Sequence, residues 1–234
     1  MVGMPRLVLV HSPLVGASTW EPVAEVLRGR GYGVTVPSLA PVEGGPYYPR
    51  LAARAADEVA GGERVVLVGH SGAGALLPAV AEAARARGAA VAGAVYVDAL
   101  LPHPGRAWFA TVPPELAARL RELARDGVLP PWDTWFPPGT VEALLPDPAV
   151  RARFSAELPR VPLAYFAEPA PPAPALPPAR TAYLQLSEAY EPQAAAAERE
   201  GWRVARIAAD HLAVLTAADE VGGELAELVR SVAA

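Results

Sequence analysis

One serine lies where its hydroxyl group could act as a nucleophile. Ser71 is the third residue of Gly-His-Ser-Gly-Ala (residues 69–73), which follows an apolar run at residues 65–68 and precedes an alanine-rich helical pattern. A strand, a sharp turn and a helix in this order raise the turn residue above the carboxyl end of a sheet. The helix N-terminus behind the turn favours negative charge there. This pattern predicts an enzyme with Ser71 as its nucleophile, and the alternative is an ordinary turn serine.

A histidine downstream of the serine could accept its proton. A serine hydroxyl is a weak nucleophile and needs a proton acceptor within hydrogen-bond reach. Of the four histidines in the chain, His211 alone follows the last predicted strand, in a loop that enters the final predicted helix. We therefore expect His211 to be the general base, with a solvated loop histidine as the alternative. We expect His70 to be structural and to pack under the turn.

Strand and helix patterns alternate along the chain on both sides of Ser71. A length of 234 residues with 52% hydrophobic residues suits one domain over residues 1–234. Alternating strands and helices are typical of right-handed crossovers, hence of a largely parallel sheet covered on both faces. The predicted helices between the first four strands cover residues 20–30, 48–60 and 73–87. The predicted strands cover residues 6–11, 33–37, 64–69, 92–98, 181–186 and 204–208.

The alternation stops after the strand that ends at Asp98 and resumes near Thr181. Residues 101–180 hold three helical patterns, at residues 114–126, 140–145 and 148–158, followed by a proline-dense return at residues 159–178. Inserted at this point, the segment would lie over the carboxyl edge of the sheet. We therefore predict a helical lid at residues 101–180, with a mobile linker at residues 169–178 as the alternative for its last part.

The predicted lid is rich in aromatic residues, among them Trp108, Trp132 and Trp135. Aromatic rings in such numbers indicate a large apolar or aromatic substrate held by ring contacts. The alternative for any one ring is that it attaches the lid to the sheet.

Composition excludes several other functions. A net charge of −5 with scattered arginines gives no basic face for nucleic acid. The absence of cysteine excludes thiol nucleophiles, disulfides and thiolate metal sites, and four widely spaced histidines form no metal motif. The apolar amino-terminal run at residues 7–10 is too short for a signal peptide or a membrane span. We expect a cytoplasmic protein without metal, nucleic acid or membrane partner.

The chain resembles a small, lidded α/β-hydrolase of the branch that holds plant methylesterases, hydroxynitrile lyases and bacterial esterase-like proteins. The resemblance rests on Leu-Val-His at residues 9–11, Gly-His-Ser at residues 69–71 and Asp-His-Leu at residues 210–212. The usual Gly-x-Ser-x-Gly has Ala73 in its fifth position, a mild departure because alanine still lets helix and strand approach. The resemblance implies an α/β-hydrolase fold with a mostly parallel sheet of about six strands and helices on both faces.

The resemblance offers two positions for the acid that orients the histidine. The usual position follows the strand at residues 181–186, where Glu188 lies next to Ala189, the position of the acid in the plant enzymes. The other position follows the preceding strand, as in some haloalkane dehalogenases, and holds Asp98. We favour Asp98 and keep Glu188 as the alternative. Without a catalytic role, Asp98 would be a carboxylate that caps the turn, and Glu188 would be a solvated charge in a loop.

The oxyanion-binding loop departs from the resembled families. One donor would be the backbone N–H of Gly72, and the second would come from the residue two positions after His11, which is Pro13. Proline has no N–H group. The N–H of Leu14 or the hydroxyl of Ser12 could substitute, the loop could be shifted by one residue, or the reaction could avoid a tetrahedral oxyanion.

Three functions remain for a chain with these residues. The first is a cofactor-free serine hydrolase that cleaves an ester, lactone or activated acyl bond of a hydrophobic small molecule. The second is a cofactor-free lyase or cyclase of a biosynthetic pathway that uses the Ser–His pair as acid and base, suggested by Pro13. The third is a binding protein that retains the pocket. A monomer or a homodimer is expected.

Overall fold

Six strands pair in parallel to form the central sheet of the computed structural model, which describes residues 3–174 and 176–234. In chain order the strands are β1 (Arg6–Val10), β2 (Val34–Thr35), β3 (Arg64–Ser71), β4 (Ala90–Ala99), β5 (Val128–Leu129), β6 (Val161–Pro162), β7 (Thr181–Gln185) and β8 (Arg203–Arg206). The order in the sheet is β2-β1-β3-β4-β7-β8, and every neighbouring pair is parallel. Strands β5 and β6 form a separate antiparallel pair. The sheet confirms the predicted fold class.

Helices cover both faces of this sheet. In chain order the helices are α1 (Glu21–Gly29), α2 (Tyr47–Ala56), α3 (Leu77–Ala86), α4 (Pro114–Leu123), α5 (Thr140–Leu144), α6 (Pro148–Ala156), α7 (Leu163–Ala167), α8 (Glu191–Arg199), α9 (Ala213–Thr216) and α10 (Ala218–Ala233). One face of the sheet carries α1, α9 and α10, and the other carries α2, α3 and α8. None of the described helices is long and apolar enough to cross a membrane.

Strand β3 shows why the sheet needs helices on both faces. Its side chains alternate between two apolar clusters, with Val65 and Leu67 in one and Val66 and Val68 in the other, and all four are buried. Successive side chains of a strand point to opposite faces, so an uninterrupted apolar run requires a helix layer on each side. The central strand that ends at the serine is therefore held rigidly from both faces.

The central strands extend further than the sequence predicts. β3 continues to Ser71 rather than to residue 69, and β4 continues to Ala99, one residue past the predicted end at Asp98. The two ends support each other, because Ser71 pairs with Ala99 across the sheet. β2 is shorter than predicted, with two residues instead of five.

Residues 101–180 lie between β4 and β7 and are called the insertion below. They contain α4 to α7 and the β5–β6 pair, so the three predicted helices are present and the proline-dense return carries β6 and α7. Helix α4 ends at Leu123, earlier than predicted, because the backbone is extended at Ala124; positive φ follows at Asp126 and Gly127 in the turn before β5. Of the predicted linker at residues 169–178, Ala175 lies outside the described residues.

A carboxylate ties the insertion to the sheet-covering helices. Glu168 accepts hydrogen bonds from the backbone N–H groups of Tyr47 and Tyr48, at 2.8 and 3.0 Å, in the first turn of α2. The first N–H groups of a helix lack partners within the helix, and negative charge is favourable there. Glu168 therefore caps α2 from more than 100 residues away in sequence.

Candidate active site

Ser71 lies at the sharp turn between β3 and a short 3-10 helix, Gly72–Leu76, that leads into α3. Its backbone has φ +57° and ψ −127°, a conformation that few residues other than glycine adopt. Close packing requires glycine nearby: a Cβ atom on Gly74 would lie 2.0 Å from the carbonyl oxygen of Leu100. Ala73, in the fifth position of the motif, is fully buried. The tightest contact of the turn is made by the next residue, Gly74.

A chain of hydrogen bonds links Ser71, His211 and Asp98. The Nε2 atom of His211 lies 3.1 Å from the Oγ atom of Ser71, and its Nδ1 atom lies 2.7 Å from the Oδ2 atom of Asp98. Because a carboxylate accepts hydrogen bonds, Nδ1 carries the proton and donates it to Asp98. This tautomer leaves Nε2 free to accept the proton of the serine hydroxyl.

Asp98 is fully buried and saturated with hydrogen bonds. Besides His211, it accepts bonds from the backbone N–H groups of Leu186 and Ser187 and from the Ser187 hydroxyl, at 2.9, 3.0 and 2.6 Å. Burial alone acts to raise the pKa of the Asp98 carboxyl, but the bonds from His211 and Ser187 outweigh burial and hold the pKa below its usual range. Asp98 is therefore an ionised acceptor joining the ends of β4 and β7.

Glu188, the other candidate acid, lies apart from this chain of hydrogen bonds. It begins a short 3-10 helix, Glu188–Tyr190, after β7. Within the part of the chain that the structure describes, its carboxylate forms no hydrogen bond or ion pair with His211, whose Nδ1 is taken by Asp98. The loop after β7 reaches the site instead through Ser187, which bonds Asp98, and through Tyr190.

The imidazole of His211 is held between two aromatic rings. Tyr190 covers one face with 4.9 Å between ring centroids and 1° between planes, and His70 covers the other with 4.6 Å and 29°. His70 also donates from Nε2 to the carbonyl oxygen of His211, at 2.9 Å. Burial, together with the nearby His211, lowers the pKa of His70 to about 3, so this ring is neutral.

His70 is therefore buried next to the turn, and it packs directly on the ring of His211. Tyr190 also belongs to this site, although no pattern in the sequence indicated it. Its ring is half-buried, and this burial raises the pKa of the phenol to about 12, against a lowering effect of the Ser71 hydroxyl beside it. The available signal was an aromatic residue two positions after Glu188, in the loop where the fold usually carries its acid.

The loop after β1 runs beside the turn that bears Ser71. A Cβ atom on Gly72 would lie 2.9 Å from the Oγ atom of Ser12 and 3.7 Å from the ring of Pro13, so both residues adjoin Gly72. The N–H of Leu14 donates to Ser12 Oγ at 3.3 Å. His11 fixes the loop, since its Nδ1 bonds the Ser12 carbonyl and its Nε2 accepts from the N–H of Leu39. Pro13 thus offers no N–H group next to Gly72, and the hydroxyl group of Ser12 lies beside Gly72 instead.

A cavity of about 480 Å³ opens above these residues. The insertion supplies most of its wall, including all three tryptophans that the sequence analysis singled out, and Arg119. At its base it reaches Ser71, Gly72, His211 and the loop after β1. Lining residues from the insertion are Trp108, Leu116, Arg119, Leu120, Trp132, Trp135, Phe136, Leu144, Tyr165 and Phe166. The wall is therefore largely apolar and aromatic over a polar base.

The tryptophans also pack on the insertion itself. Trp108 contacts Phe166 with 5.1 Å between ring centroids, and Trp132 contacts Phe136 with 4.7 Å. Each ring thus both shapes the cavity and stabilises its own segment. Among residues 3–174 and 176–234, no group of three or more carboxylate or histidine side chains is arranged to hold a metal ion.

Comparison with known proteins places the chain in a family. The model of the alpha/beta hydrolase family matches residues 7–224, so the chain belongs to that family. This confirms the predicted family and supports an enzyme of the hydrolase type. A comparison with curated protein sequences found no match.

Several solved structures share the fold over nearly the whole chain. An extracellular α/β-hydrolase from a Paenibacillus species, described as homologous in structure and function to tobacco salicylic acid binding protein 2, has 18% identity and a TM-score of 0.73 and covers 96% of this chain and 98% of its own. A pyrethroid hydrolase from Sphingobium faniae JZ-2 has 18% identity, a TM-score of 0.70 and 98% coverage of both chains. Tomato methylketone synthase I has 15% identity and a TM-score of 0.68, with 99% of this chain and all of that chain covered. At these identities the likeness shows a shared fold.

Proposed function

We propose that this protein is a serine hydrolase that cleaves an ester, lactone or activated acyl bond of a hydrophobic small molecule. The observation that supports it most is the hydrogen-bonded chain Asp98–His211–Ser71 at the base of a largely apolar cavity. A nucleophile, a base and an orienting acid in this order are what acyl transfer to serine requires.

The proposed reaction has two halves. Ser71 Oγ attacks the carbonyl carbon while His211 Nε2 takes the hydroxyl proton, and that proton then passes to the departing alcohol as the ester bond breaks. A water molecule next attacks the acyl group on Ser71 and gives its proton to His211, which returns a proton to Ser71 as the acid leaves. Asp98 fixes the His211 tautomer and stabilises the imidazolium in both halves.

We propose that the hydroxyl of Ser12 is the second oxyanion donor. The first is the N–H of Gly72, which begins its helix and has no partner within it. The N–H of Leu14 is directed to Ser12 Oγ, which leaves the hydroxyl proton of Ser12 available for the substrate oxygen. Ser12 Oγ adjoins Gly72 and the cavity, so two donors could converge on one oxygen atom.

We propose that the insertion acts as a lid and that its aromatic rings hold the acyl or alkyl part of the substrate. Its side chains form the cavity wall opposite Ser71, and burial of apolar substrate against them would favour binding. No step of the proposed reaction calls for a cofactor.

Pro13 supports a second candidate, a cofactor-free lyase or cyclase on the same scaffold. A reaction without a tetrahedral oxyanion would not need the N–H group that Pro13 lacks. Ser71 and His211 would then serve as acid and base rather than as nucleophile and base. A covalent acyl-enzyme on Ser71 distinguishes the two candidates.

Turnover of p-nitrophenyl esters with acyl chains of two to twelve carbons tests the main proposal. We expect hydrolysis by the wild type that is abolished in Ser71→Ala, with a preference for medium or long chains set by the cavity. Ser155→Ala is a matched control, because Ser155 hydrogen-bonds Asp133 in the insertion, away from the base of the cavity. Absence of turnover by folded wild type, or turnover retained by Ser71→Ala, would contradict the proposal.

A further inference from the structure

Arg119 stands out in the wall of the cavity because of its charge. Within the described chain, it is the one permanently charged side chain among the residues that line this cavity. The helix that carries it turns Leu116, Arg119 and Leu120 toward the cavity, at positions i, i+3 and i+4 on one face. A helix face that covers an apolar cavity ordinarily carries apolar residues at such positions.

The guanidinium group of Arg119 is held in position but is not neutralised. Its Nη2 atom donates a hydrogen bond of 2.6 Å to the carbonyl oxygen of Trp135, another residue of the cavity wall. No carboxylate of the described residues forms an ion pair with it, although six pairs between an arginine and a carboxylate occur elsewhere in that part of the chain. Four of its five N–H groups thus remain available in a fixed fork.

The neighbouring Arg121 provides a contrast on the same helix. Its guanidinium lies over the ring of Phe109, 4.3 Å from the centroid, and Arg121 is not among the residues that line the cavity. Two arginines of one helix thus have different surroundings. One stacks on a ring of the insertion, whereas the other borders the cavity above Ser71.

We infer that the substrate carries a carboxylate at the end remote from the scissile bond, and that Arg119 binds it. The apolar and aromatic wall would hold the middle of such a molecule, while Ser71 at the base and Arg119 in the wall would bind its two polar ends. A planar guanidinium matches a carboxylate in a bidentate geometry and stays charged at all relevant pH values. The substrate class is then a monoester of a hydrophobic dicarboxylic acid, or an aromatic equivalent. This inference rests on the proposed function for the position of the ester.

Binding to a catalytically silent variant tests the inference independently of turnover. In the Ser71→Ala background, calorimetry compares p-nitrophenyl hydrogen suberate with p-nitrophenyl octanoate, which match in chain length and differ in the terminal carboxylate. We expect Arg119→Met, which keeps an apolar stem, to weaken suberate binding relative to octanoate by about fivefold only, since the Arg119 side chain is exposed and solvent screens its charge. Arg121→Met in the same background should leave that ratio unchanged, and added salt should lower it.

Three results would overturn the inference: no suberate preference in Ser71→Ala, a preference that survives Arg119→Met, or an equal loss in Arg121→Met. The last result would indicate a general charge effect of the helix. Hydrolysis of the neutral octanoate by the wild type reports separately on the proposed function, so the two failures are distinguishable. Repeating the comparison with adipate and sebacate monoesters should give one best chain length, because the acyl chain must span from Ser71 at the base of the cavity to Arg119 in its wall.

Discussion

The ring of Tyr190 lies parallel to the imidazole of His211, with 1° between their planes and 4.9 Å between their centroids. His70 covers the opposite face of the same imidazole. A ring held from both faces cannot turn about its χ2 angle without separating these contacts. The stack therefore keeps Nε2 directed at Ser71 and Nδ1 directed at Asp98.

Removal of the Tyr190 ring should impair the reaction more than binding. We expect Tyr190→Leu to lower kcat by about tenfold, because the misoriented fraction of His211 rises, and Tyr190→Phe to keep most of the activity because it keeps the ring. Steady-state kinetics on a p-nitrophenyl ester measures both variants. A Tyr190→Phe variant as slow as Tyr190→Leu would instead assign the effect to the hydroxyl beside Ser71.

Substitution of Asp98 and of Glu188 tests which of these two carboxylates orients His211. Asp98→Asn should lower kcat by about 10³ to 10⁴, because an amide cannot hold the required histidine tautomer or stabilise the imidazolium. Glu188→Gln, which removes a carboxylate from the adjacent loop, should change kcat by less than about twofold. Equal losses in the two variants, with both folded, would refute the role of Asp98.

The Ser12 hydroxyl can be tested together with Pro13. Ser12→Ala should lower kcat by about 10² to 10³ with little change in KM, as expected for a contact made mainly in the transition state. Ser12→Thr should retain activity because it keeps a hydroxyl. Pro13→Ala supplies the missing N–H, so the double variant Ser12→Ala/Pro13→Ala should recover part of the lost kcat. Unchanged kcat in Ser12→Ala would show that another group binds the oxyanion.

Buried His70 should make the protein less stable in acid. Burial lowers the pKa of His70 to about 3, whereas the unfolded chain binds a proton at this residue with a pKa of about 6.5. Between these values the unfolded state holds more protons, so the free energy of unfolding falls as the pH falls, by up to about 1.4 kcal/mol per pH unit from this residue. Above pH 6.5 His70 is neutral in both the folded and the unfolded state, so the free energy of unfolding no longer changes with pH through this residue.

A variant without the titrating ring isolates this effect. His70→Gln retains an N–H donor for the carbonyl oxygen of His211 but takes up no proton in this range. Urea unfolding at pH 4 to 6.5 should show a shallower decline in stability for His70→Gln, by about 1.4 kcal/mol per pH unit. Parallel declines in the two proteins would mean that other groups, such as buried His11, cause the acid sensitivity.

The sheet, its helix layers and the position of Ser71 at the end of a strand could be predicted from local patterns. Residues 65–68 form an apolar run bounded by Gly69, and buried central strands read this way because both their faces are covered. The break in alternation after Asp98 likewise marks the insertion, whose three predicted helices are present. Strand ends were less predictable, because the extension of β3 and β4 depends on the pairing of Ser71 with Ala99.

The contacts of the site could not be predicted in the same way, because they join loops distant in sequence. The sequence allows either Asp98 or Glu188 as the acid, and it does not show that His211 hydrogen-bonds Asp98, because this contact joins the end of β4 to a loop distant in sequence. The stacking of Tyr190 on His211 likewise depends on how two loops meet. The helical period of α4 predicts an apolar stripe with Leu116 and Leu120, but it does not show that Arg119 also borders the cavity.

Covalent labelling shows whether Ser71 is a nucleophile. The folded wild type is incubated with a fluorophosphonate carrying an alkyl chain, and intact-protein mass spectrometry followed by peptide mapping locates the label. We expect one adduct per chain on Ser71, absent from Ser71→Ala and formed much more slowly in His211→Gln. No adduct on folded wild type, or an adduct that persists in Ser71→Ala, would contradict a nucleophilic Ser71 and favour the lyase or cyclase.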